Sequence, residues 1–386
     1  MSANDPLERR IQARIRALGE SHLLRTLRAP QGIDLSSNDY LSLSQHSALK
    51  TRMIEAVERD GCGSTGSRLL CGERDSFAAV ERSFAAFKST GRSLYFSSGY
   101  LANLAVITTF AEAGDVLFSD ALNHASLIDA VRLSSARRVV FPHADVAHVE
   151  RLMKEHRGGQ AFLVTESLFG MDGDIAPLDA YAAVCRATGT ALIVDEAHAV
   201  GVYGARGSGL IEECGVGADV LLSVNTAGKA LGVSGAFVAG RSWAIEYLVQ
   251  RARPFIFSTA PPPSVAEALQ ASLSIVLAEP ERRQRLMHLA RHLRDELRVR
   301  GIAVPEGTSH IVPVIVGAND RASDVASALQ AGGFDVRAIR PPSVPHGSAR
   351  LRIAVNVGLD EATIERFADA LAAAMKESSR WAAVSS

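Results

Sequence analysis

The sequence predicts an α/β protein with a large domain on a mainly parallel sheet and a smaller C-terminal α/β domain. From about Arg92, short apolar runs alternate with segments of helical length, a rhythm that is typical of βα units. A second series of helix and strand patterns begins near residue 280. The length of 386 residues allows one large domain or a large domain with a smaller one, since single cores stop growing near ~250–300 residues, and the second series of patterns favours two.

These patterns divide the chain into an N-terminal arm over 1–45, a large domain over 46–279 and a small domain over 280–386. In the arm, four apolar residues of a predicted helix over 7–19 share one face that should pack on a neighbouring surface: Leu7, Ile11, Ile15 and Leu18. The predicted strands of the large domain are 93–96, 116–118, 139–141, 161–164, 191–194 and 220–222. A proline-rich loop over 260–263 then leads into a helical stretch.

The small domain combines a helix, three strands and a closing helix. The first helix is indicated by a stripe of Leu286, Leu289, Leu293 and Leu297. Strands are expected at 310–316, 334–339 and 349–357. The last helix begins at Asp360, a good N-cap, and its inward residues are Ile364, Phe367, Leu371 and Met375.

Composition and charge exclude several classes of protein. With 47% apolar and 22% charged residues the chain is globular, and 41 basic against 42 acidic residues leave no broad basic surface for nucleic acid or an anionic membrane. The four cysteines lack CxxC spacing, so free thiols in a reducing compartment are expected. Because the first residues lack the apolar core of a signal peptide, and the most apolar stretch, 220–240, contains Lys229, we predict a cytoplasmic protein without membrane segments.

Three motifs lack the context that their chemistry requires. Residues 61–66 match GxGxxG, but they follow a helical pattern over 49–59, whereas a dinucleotide fingerprint follows a strand. Gly228-Lys229 lacks the Ser or Thr that would come next in a Walker A loop. His288 and His292 share a helix face among arginines and are interpreted as solvated, so no metal is expected.

An acid, an imidazole and a lysine are expected together at the carboxyl edge of the sheet. Strand 191–194 is followed directly by Asp195, His198 comes three residues later, and Lys229 follows the next strand. Binding sites of open α/β sheets lie at this edge. Pyridoxal 5'-phosphate (PLP) needs these residue types: a lysine for the Schiff base, a carboxylate for the pyridinium nitrogen and a donor to the phenolic oxygen.

Two further segments fit the same cofactor. Residues 97–100 close a strand and open a helix over 101–110, so their N–H groups and the helix dipole could hold a phosphate. His124 lies in a polar turn after a strand, where its flat ring could stack on the cofactor. Each feature alone has an ordinary structural explanation, but together with the acid, imidazole and lysine they predict a PLP site.

These residues resemble the α-oxoamine synthases, a branch of the fold-type I PLP-dependent transferases, over nearly the whole chain. The matching stretches are 36–41 (SSNDYL), 98–100 (SGY), 123–126 (NHAS), 171–174 (MDGD), 195–198 (DEAH) and 226–229 (TAGK). The resemblance implies a homodimer in which each copy completes the active site of the other.

The resemblance also implies roles for individual residues. Lys229 would carry the cofactor, Asp195 would pair with the pyridinium nitrogen, His198 would bind the phenolic oxygen, and His124 would stack on the ring and contact substrate. The remaining cofactor contacts would come from Gly99, Tyr100, Thr226, Thr259 across the dimer interface, and Gly170, which stands where the family usually has a serine. Substrate contacts would come from Arg352 at the amino-acid carboxylate, Ser343 and Arg25 at the acyl chain, with Arg28 as an alternative to Arg25, and Asn38.

Within the family, residues 339–345 (IRPPSVP) followed by 349–352 (ARLR) resemble the enzymes that condense L-alanine with a pimeloyl thioester. The implied acyltransferase reaction gives 8-amino-7-oxononanoate, CO2 and a free thiol in biotin biosynthesis, with coenzyme A and acyl carrier protein both open as the thiol. One alternative is a sister synthase, such as a 2-amino-3-ketobutyrate ligase or a long-chain ketone-forming synthase. Another is a non-catalytic PLP-fold subunit, against which the presence of Lys229 argues.

Arg350 and Arg352 alternate along strand 349–357 and therefore share one face. The resemblance assigns only Arg352 to a substrate carboxylate, which a guanidinium can hold through two parallel hydrogen bonds. The ordinary interpretation of such a pair is a solvated sheet surface, and replacement of Arg350 by lysine should have little effect.

Overall fold

The computed structural model describes residues 5–156 and 158–384, which form two compact units. The larger unit contains Asn38–Gly170 and Asp174–Arg285. The smaller unit contains the chain up to Ser37, Met171–Gly173 and the chain from Leu286 onward. The junctions thus fall at 37/38 and 285/286, whereas the boundaries expected from the sequence are 45/46 and 279/280.

Helices and strands alternate along most of the chain. The helices are α1 Pro6–Glu20, α2 Ser47–Asp60, α3 Asp75–Lys88, α4 Gly99–Phe110, α5 Ala125–Leu133, α6 Val146–Glu155, α7 Leu178–Thr188, α8 Leu210–Glu213, α9 Ser242–Arg251, α10 Arg253–Ile256, α11 Pro263–Ala278, α12 Pro280–Val299, α13 Asn319–Ala331 and α14 Glu361–Val384. The strands are β1 Ile33–Asp34, β2 Arg92–Phe96, β3 Val116–Asp120, β4 Arg137–Phe141, β5 Ala161–Glu166, β6 Ala191–Asp195, β7 Val220–Thr226, β8 Ala236–Gly240, β9 Ile311–Gly317, β10 Phe334–Asp335, β11 Ala338–Ile339 and β12 Ala349–Ala354.

The larger unit is built on one seven-stranded sheet with the strand order β2-β8-β7-β6-β5-β3-β4. All six strands predicted for this part of the chain form, and the pairs among β3 to β7 are parallel. The sequence does not predict β8, which is short, rich in small residues and antiparallel to both β2 and β7. It is buried throughout because it lies between two other strands.

The carboxyl ends of the parallel strands carry most of the polar residues that matter for a site. β3 ends at Asp120, β5 at Glu166, β6 at Asp195 and β7 at Thr226. Glu166 and Asp195 are direct partners in the register of β5 and β6, so two carboxyl groups lie on neighbouring strands at the same level. Helices α4 and α5 pack against the sheet through one buried apolar cluster, which fixes the start of α4 above this edge.

The smaller unit contains a three-stranded antiparallel sheet in the order β11-β12-β9. The predicted leucine stripe of α12 is buried, and the Asp360 carboxylate caps α14 by accepting the N–H of Thr363. The strand expected over 334–339 is divided, because β10 pairs with β1 of the arm while β11 pairs with β12. The two short strands therefore belong to different sheets, and strand structure is interrupted between Asp335 and Ala338.

The arm begins with α1, which Asp5 caps by accepting the N–H of Leu7. Its predicted apolar face forms, but the four residues remain 41–53% exposed in the single chain: Leu7, Ile11, Ile15 and Leu18. An uncovered apolar stripe on a helix indicates a surface for another partner. No helix in the part of the chain that the structure describes has the length and hydropathy of a membrane-spanning segment.

Candidate active site

Lys229 lies at the end of a chain of polar side chains in the larger unit. Its Nζ is 2.7 Å from Nε2 of His198, and Nδ1 of His198 is 2.6 Å from the hydroxyl of Tyr40. Because that hydroxyl donates its hydrogen to Oδ1 of Asn38 at 2.9 Å, it accepts from Nδ1 of His198, and Nε2 accepts from Lys229. The predicted lysine and imidazole are therefore in direct contact, and the buried Tyr40 binds the opposite nitrogen of the imidazole.

Asp195 is buried at the end of β6. Its Oδ2 accepts from Nδ2 of Asn103 at 2.7 Å, and its Oδ1 accepts the N–H of Ala197 at 2.8 Å. Among the residues that the structure describes, no basic side chain forms an ion pair with this carboxylate. A buried carboxylate without a cation is costly, so a protonated ring nitrogen would complement Asp195.

Glu196, in the turn that follows Asp195, forms an ion pair with Lys88 at the end of α3, and both side chains are buried. Nζ of Lys88 also donates to the carbonyl of Ser208 at 2.5 Å, and the second oxygen of Glu196 accepts the N–H of Ile211 at 2.9 Å. Removing one partner of such a pair leaves an uncompensated buried charge. The pair therefore holds the turn between Asp195 and His198 in a single conformation.

His124 precedes α5 and is open to solvent on one side. Its Nδ1 accepts the backbone N–H of Ser126 at 3.2 Å and lies 2.8 Å from Oγ of the same serine. Its own backbone N–H donates to Oε1 of Glu166 at 2.6 Å. Partial burial lowers the pKa of the His124 imidazole, which favours the neutral ring at neutral pH.

The start of α4 forms the predicted phosphate site. Ser98 caps the helix with its side-chain oxygen, and a Cβ on Gly99 would collide with Oγ1 of Thr226. Only glycine therefore lets the helix N-terminus and the Thr226 hydroxyl converge on the same space. Tyr100, the next residue, is partly exposed. Backbone N–H groups at a helix start attract phosphate oxygens.

Gly170 lies against the ring of His198. A Cβ on Gly170 would fall well inside contact distance of Nε2 and Cδ2 of His198, so the serine that the family usually has would require this ring to move. Oγ of Ser167 is buried and has no hydrogen-bond partner in the described part of the chain. His198 therefore occupies the space of the missing side chain, and the Ser167 hydroxyl is not engaged by any described residue.

Glu166 is a site residue that the sequence analysis does not identify. Its buried carboxyl accepts the backbone N–H groups of His124 and Gly170, so it joins the two segments that carry these residues. Burial, reinforced by the charge of Asp195, raises the pKa of Glu166 to about 8. Glu166 could have been identified from the sequence because it ends a predicted buried strand, as Asp195 does on the next strand along the chain.

Glu166→Gln should change how the stability of the cofactor-free protein depends on pH. Between the ordinary carboxyl pKa of 4.5 and about 8, folded Glu166 keeps a proton that the unfolded chain has released. Unfolding then releases a proton, so stability falls as pH rises, by up to about 1.4 kcal/mol per pH unit. The variant should lack this fall when free energies of unfolding are measured by urea denaturation from about pH 5 to about pH 8.

The matched control is Glu58→Gln, at an exposed position on α2, which should keep the wild-type slope. The groups that act on the Glu166 carboxyl are Asp195, the Lys229 amine and the backbone of His124 and Gly170. Equal slopes for wild type and Glu166→Gln would show that Glu166 is already ionised at low pH.

Four predicted site residues lie outside this cluster. Thr259 is exposed in the larger unit, where its backbone bridges Ser67, and its contact with the phosphate of a second copy stays a prediction. The other three belong to the smaller unit: Arg352 is buried on β12, Ser343 is exposed, and Nη2 of Arg25 donates to the carbonyl of Pro341 at 3.2 Å. Their contacts with substrate also stay predictions.

The interpretation of Arg350 as a solvated residue is wrong. Its guanidinium is buried, forms an ion pair with Asp172 and donates to the carbonyl of Met171 at 3.3 Å. Residues 171–173 belong to the smaller unit and cover this end of β12. Alternation along a strand shows which residues share a face, but it does not show whether a distant segment covers that face.

The cluster in the larger unit fits PLP by its chemistry. It contains the Lys229 amine beside the His198 imidazole and the buried Asp195 carboxylate, which has no cationic partner among the described residues. It also contains the N-terminus of α4 next to the hydroxyl of Thr226. These are the groups that a pyridine ring with a phosphate requires. The seven-stranded sheet and this site define a PLP-dependent enzyme of fold type I.

The chain belongs to the aminotransferase class I and II family, which it matches over residues 30–371. Similar curated relatives include the 8-amino-7-oxononanoate synthases of Geobacter sulfurreducens, 43% identical over 96% of this chain and 99% of the relative, and of Methylococcus capsulatus, 43% identical over 89% of each chain.

Two solved structures show the same similarity in three dimensions. A serine palmitoyltransferase from S. paucimobilis with a bound PLP-myriocin aldimine has a TM-score of 0.90 and 29% identity, covering 97% of this chain and 100% of its own. The 8-amino-7-oxononanoate synthase of Francisella tularensis has a TM-score of 0.78 and 29% identity, covering 90% of this chain and 98% of its own. The likeness thus extends over both units of the chain.

Proposed function

We propose that the protein catalyses the PLP-dependent condensation of L-alanine with a pimeloyl thioester, giving 8-amino-7-oxononanoate, CO2 and a free thiol in biotin biosynthesis. The observation that carries this proposal is the convergence of Lys229, His198 and Asp195 in a chain 43% identical, over nearly its full length, to an 8-amino-7-oxononanoate synthase. The reaction would take place in the cytosol, in keeping with four cysteines that are free thiols.

The roles of the residues follow from their contacts. Bound PLP would supply a protonated pyridine ring that delocalises the negative charge developed at the α-carbon of the amino acid. The Asp195 carboxylate holds the proton on the ring nitrogen, since it is buried and lacks a basic partner. Lys229 would hold the cofactor covalently, and its amine, freed when the amino group of alanine takes its place, would remove the α-proton of alanine. His198 would bind the phenolic oxygen through Nε2, which must then carry the proton that it lacks beside the free Lys229 amine, and Tyr40 fixes the orientation of the ring.

Arg352→Lys should weaken the binding of alanine without changing the absorbance of bound PLP. A guanidinium grips a carboxylate through two parallel bonds that an ammonium group cannot reproduce. Loss of the paired hydrogen bonds should weaken alanine binding by about 1.5–3 kcal/mol. This corresponds to a rise of about ten- to a hundredfold in the dissociation constant of alanine. Titration of the PLP-loaded protein with alanine, followed by absorbance, measures this constant.

Arg350→Lys is the matched control on the same strand. Because Arg350 is committed to Asp172 and Met171, this variant should lower the unfolding temperature and leave alanine affinity close to wild type. Equal alanine affinities for wild type and Arg352→Lys would show that another arginine holds the carboxylate. Arg340 is then the first to test, although its guanidinium already donates to the carbonyls of His22 and Leu24.

The substrate assignment is tested by product identification. The PLP-loaded protein is incubated with alanine, glycine or serine and with pimeloyl, acetyl or palmitoyl thioesters, and products are identified by mass. Only alanine with a pimeloyl thioester should give a product of the mass of 8-amino-7-oxononanoate. A product from serine and a palmitoyl thioester would instead favour a sister synthase, and comparison of coenzyme A with acyl carrier protein would identify the thiol.

A homodimer is also proposed, with each copy contributing to the site of the other. Its support is the apolar side chains that the single chain leaves exposed, among them the α1 face, Leu70 in the glycine-rich loop after α2, and Phe257 beside Thr259. Apolar side chains that lie exposed together in a patch, as on α1, mark protein–protein interfaces. Light scattering should give twice the mass of the chain, and a fully active monomer would contradict shared sites.

A further inference from the structure

Asn103 lies on α4, one turn beyond the phosphate site, and is buried. The proposed mechanism gives it no role. Its Nδ2 nevertheless makes two hydrogen bonds, at 2.7 Å to Oδ2 of Asp195 and at 2.9 Å to Oγ of Ser126. Since Ser126 also lies beside His124, one amide nitrogen connects the carboxylate assigned to the ring nitrogen with the imidazole assigned to stacking.

The orientation of the Asn103 amide is fixed by chemistry. A flipped amide would place its oxygen against the carboxylate of Asp195, which cannot donate when it is ionised. In the orientation seen, both hydrogens of Nδ2 are used, one on Asp195 and one on Ser126. Oδ1 of Asn103 has no partner in the described part of the chain, which is the cost of turning the nitrogen toward both neighbours.

The direction of the next bond follows from the backbone. The N–H of Ser126 is directed at Nδ1 of His124, at 3.2 Å, so Nδ1 accepts and carries no hydrogen. Oγ of Ser126 accepts from Asn103 and lies 2.8 Å from the same Nδ1, so it donates its own hydrogen there. An imidazole nitrogen that accepts from two donors carries no proton, and the proton of a neutral His124 is therefore on Nε2.

We infer that Asn103 is a positioning residue that fixes Asp195 and, through Ser126, holds His124 as a neutral imidazole with its proton on Nε2. His124 can then stack on the cofactor and donate from Nε2 to a substrate oxygen, while its Nδ1 side is turned inward. The inference rests on the proposed function for the roles of Asp195 and His124, but the tautomer follows from the hydrogen bonds alone.

The charges around His124 are consistent with a neutral ring. Partial burial and the positive charge of Lys229 lower the pKa of the imidazole, while Asp195 and Asp129 act in the opposite direction. Glu166 contacts only the backbone of His124. Protonating Nδ1 would set its hydrogen against the two donors of Ser126, so the charged ring is also opposed by geometry.

The test is ¹⁵N NMR of the full chain labelled at the ring nitrogens of histidine, recorded with and without PLP across a pH titration. His124→Gln identifies the resonances of His124. Wild type at neutral pH should show Nδ1 without a proton and Nε2 with one. Ser126→Ala, which removes the donating hydroxyl, should raise the midpoint of the titration by about half to one pH unit, since the neutral ring loses one hydrogen bond.

Asn103→Asp should have a larger effect, because a new carboxylate draws the Ser126 hydroxyl away from His124 and repels Asp195. We expect a raised His124 midpoint together with a loss of PLP affinity of about tenfold or more, measured by fluorescence titration. The matched control is Asn225→Ala, which removes a buried amide that donates to Ser223 on β7. It should lower the unfolding temperature without moving the His124 resonances.

A proton on Nδ1 or a charged imidazole in wild type at neutral pH would overturn the inference, as would wild-type midpoints in both Ser126→Ala and Asn103→Asp. If Asn103→Asp fails to fold, the Ser126→Ala midpoint alone decides. These outcomes are separate from the proposed function. If NMR shows the expected tautomer but alanine and a pimeloyl thioester give no product, the proposed function is refuted and the inference about Asn103, Ser126 and His124 still stands.

Discussion

Lys229→Ala is expected to abolish condensation while leaving a folded protein that still binds PLP. The Lys229 amine lies 2.7 Å from Nε2 of His198 and is the group to which the proposal assigns both the covalent and the basic role, so its loss removes both. A loss of one positioned base costs about 10²–10⁴-fold in rate, and a lost covalent attachment adds to it. The phosphate site at the start of α4 does not involve Lys229, so PLP affinity should fall less than activity.

Borohydride reduction of the PLP-loaded wild type provides the direct measurement. Reduction should fix the cofactor on Lys229, and a peptide map should find the label there. Lys88 is the matched internal control, since it is also buried but is committed to Glu196 and Ser208. A label on any other lysine would refute the assignment, and so would turnover by Lys229→Ala near the wild-type rate.

Asp195→Asn should produce the second largest loss. The change keeps the shape of the side chain but removes the charge that holds a proton on the ring nitrogen, and it also sets one amide against the amide of Asn103. Loss of a preorganised electrostatic partner costs about 10²–10³-fold. Exchange of the alanine α-proton with D2O, measured by NMR without any acyl donor, should slow by about this factor.

Two further observations sharpen the Asp195 experiment. Asp75→Asn, at an exposed position at the start of α3, removes a carboxylate to which the proposal assigns no contact with the site, so its exchange rate should stay within a few-fold of wild type. Asp195→Asn should also lower the pKa of Glu166, because the charge of Asp195 is one cause of its elevation. Unchanged exchange in Asp195→Asn would contradict the electron-sink role.

The sequence was sufficient to predict the sheet of the larger unit and the meeting of its main site residues. Strand positions follow from short apolar runs, and parallel strands bring Asp195 and Lys229 to one edge whatever the details of packing. β8 was not predicted because its short sequence is rich in alanine and glycine, which indicate a strand less clearly than β-branched and aromatic residues do. The strand expected over 334–339 divides because its two halves find different partners, which local sequence does not encode.

The supporting residues of the site could not be predicted for a related reason. Tyr40, Asn103, Ser126 and Glu166 act through contacts between segments far apart in sequence, and the spacing of the first three does not indicate their roles. Glu166 is the exception in principle, because two carboxyl groups ending neighbouring strands are unusual. For Arg350 the sequence led to a wrong prediction. Its position on the strand suggests an exposed residue, but it is buried by a segment nearly 180 positions away in the sequence.

The packing of Gly170 against His198 has an evolutionary consequence. A side chain at position 170 is accommodated only if the imidazole first leaves its place, and the hydroxyl of Tyr40 holds it there. The three positions are therefore epistatic, because the cost of Gly170→Ser depends on how far the His198 imidazole can shift while it keeps its contact with Tyr40. Serine at position 170 should be accepted only in backgrounds whose other residues let this ring shift, and a double-mutant cycle of Gly170→Ser with Tyr40→Phe, measured as PLP affinity, should give a coupling clearly different from zero.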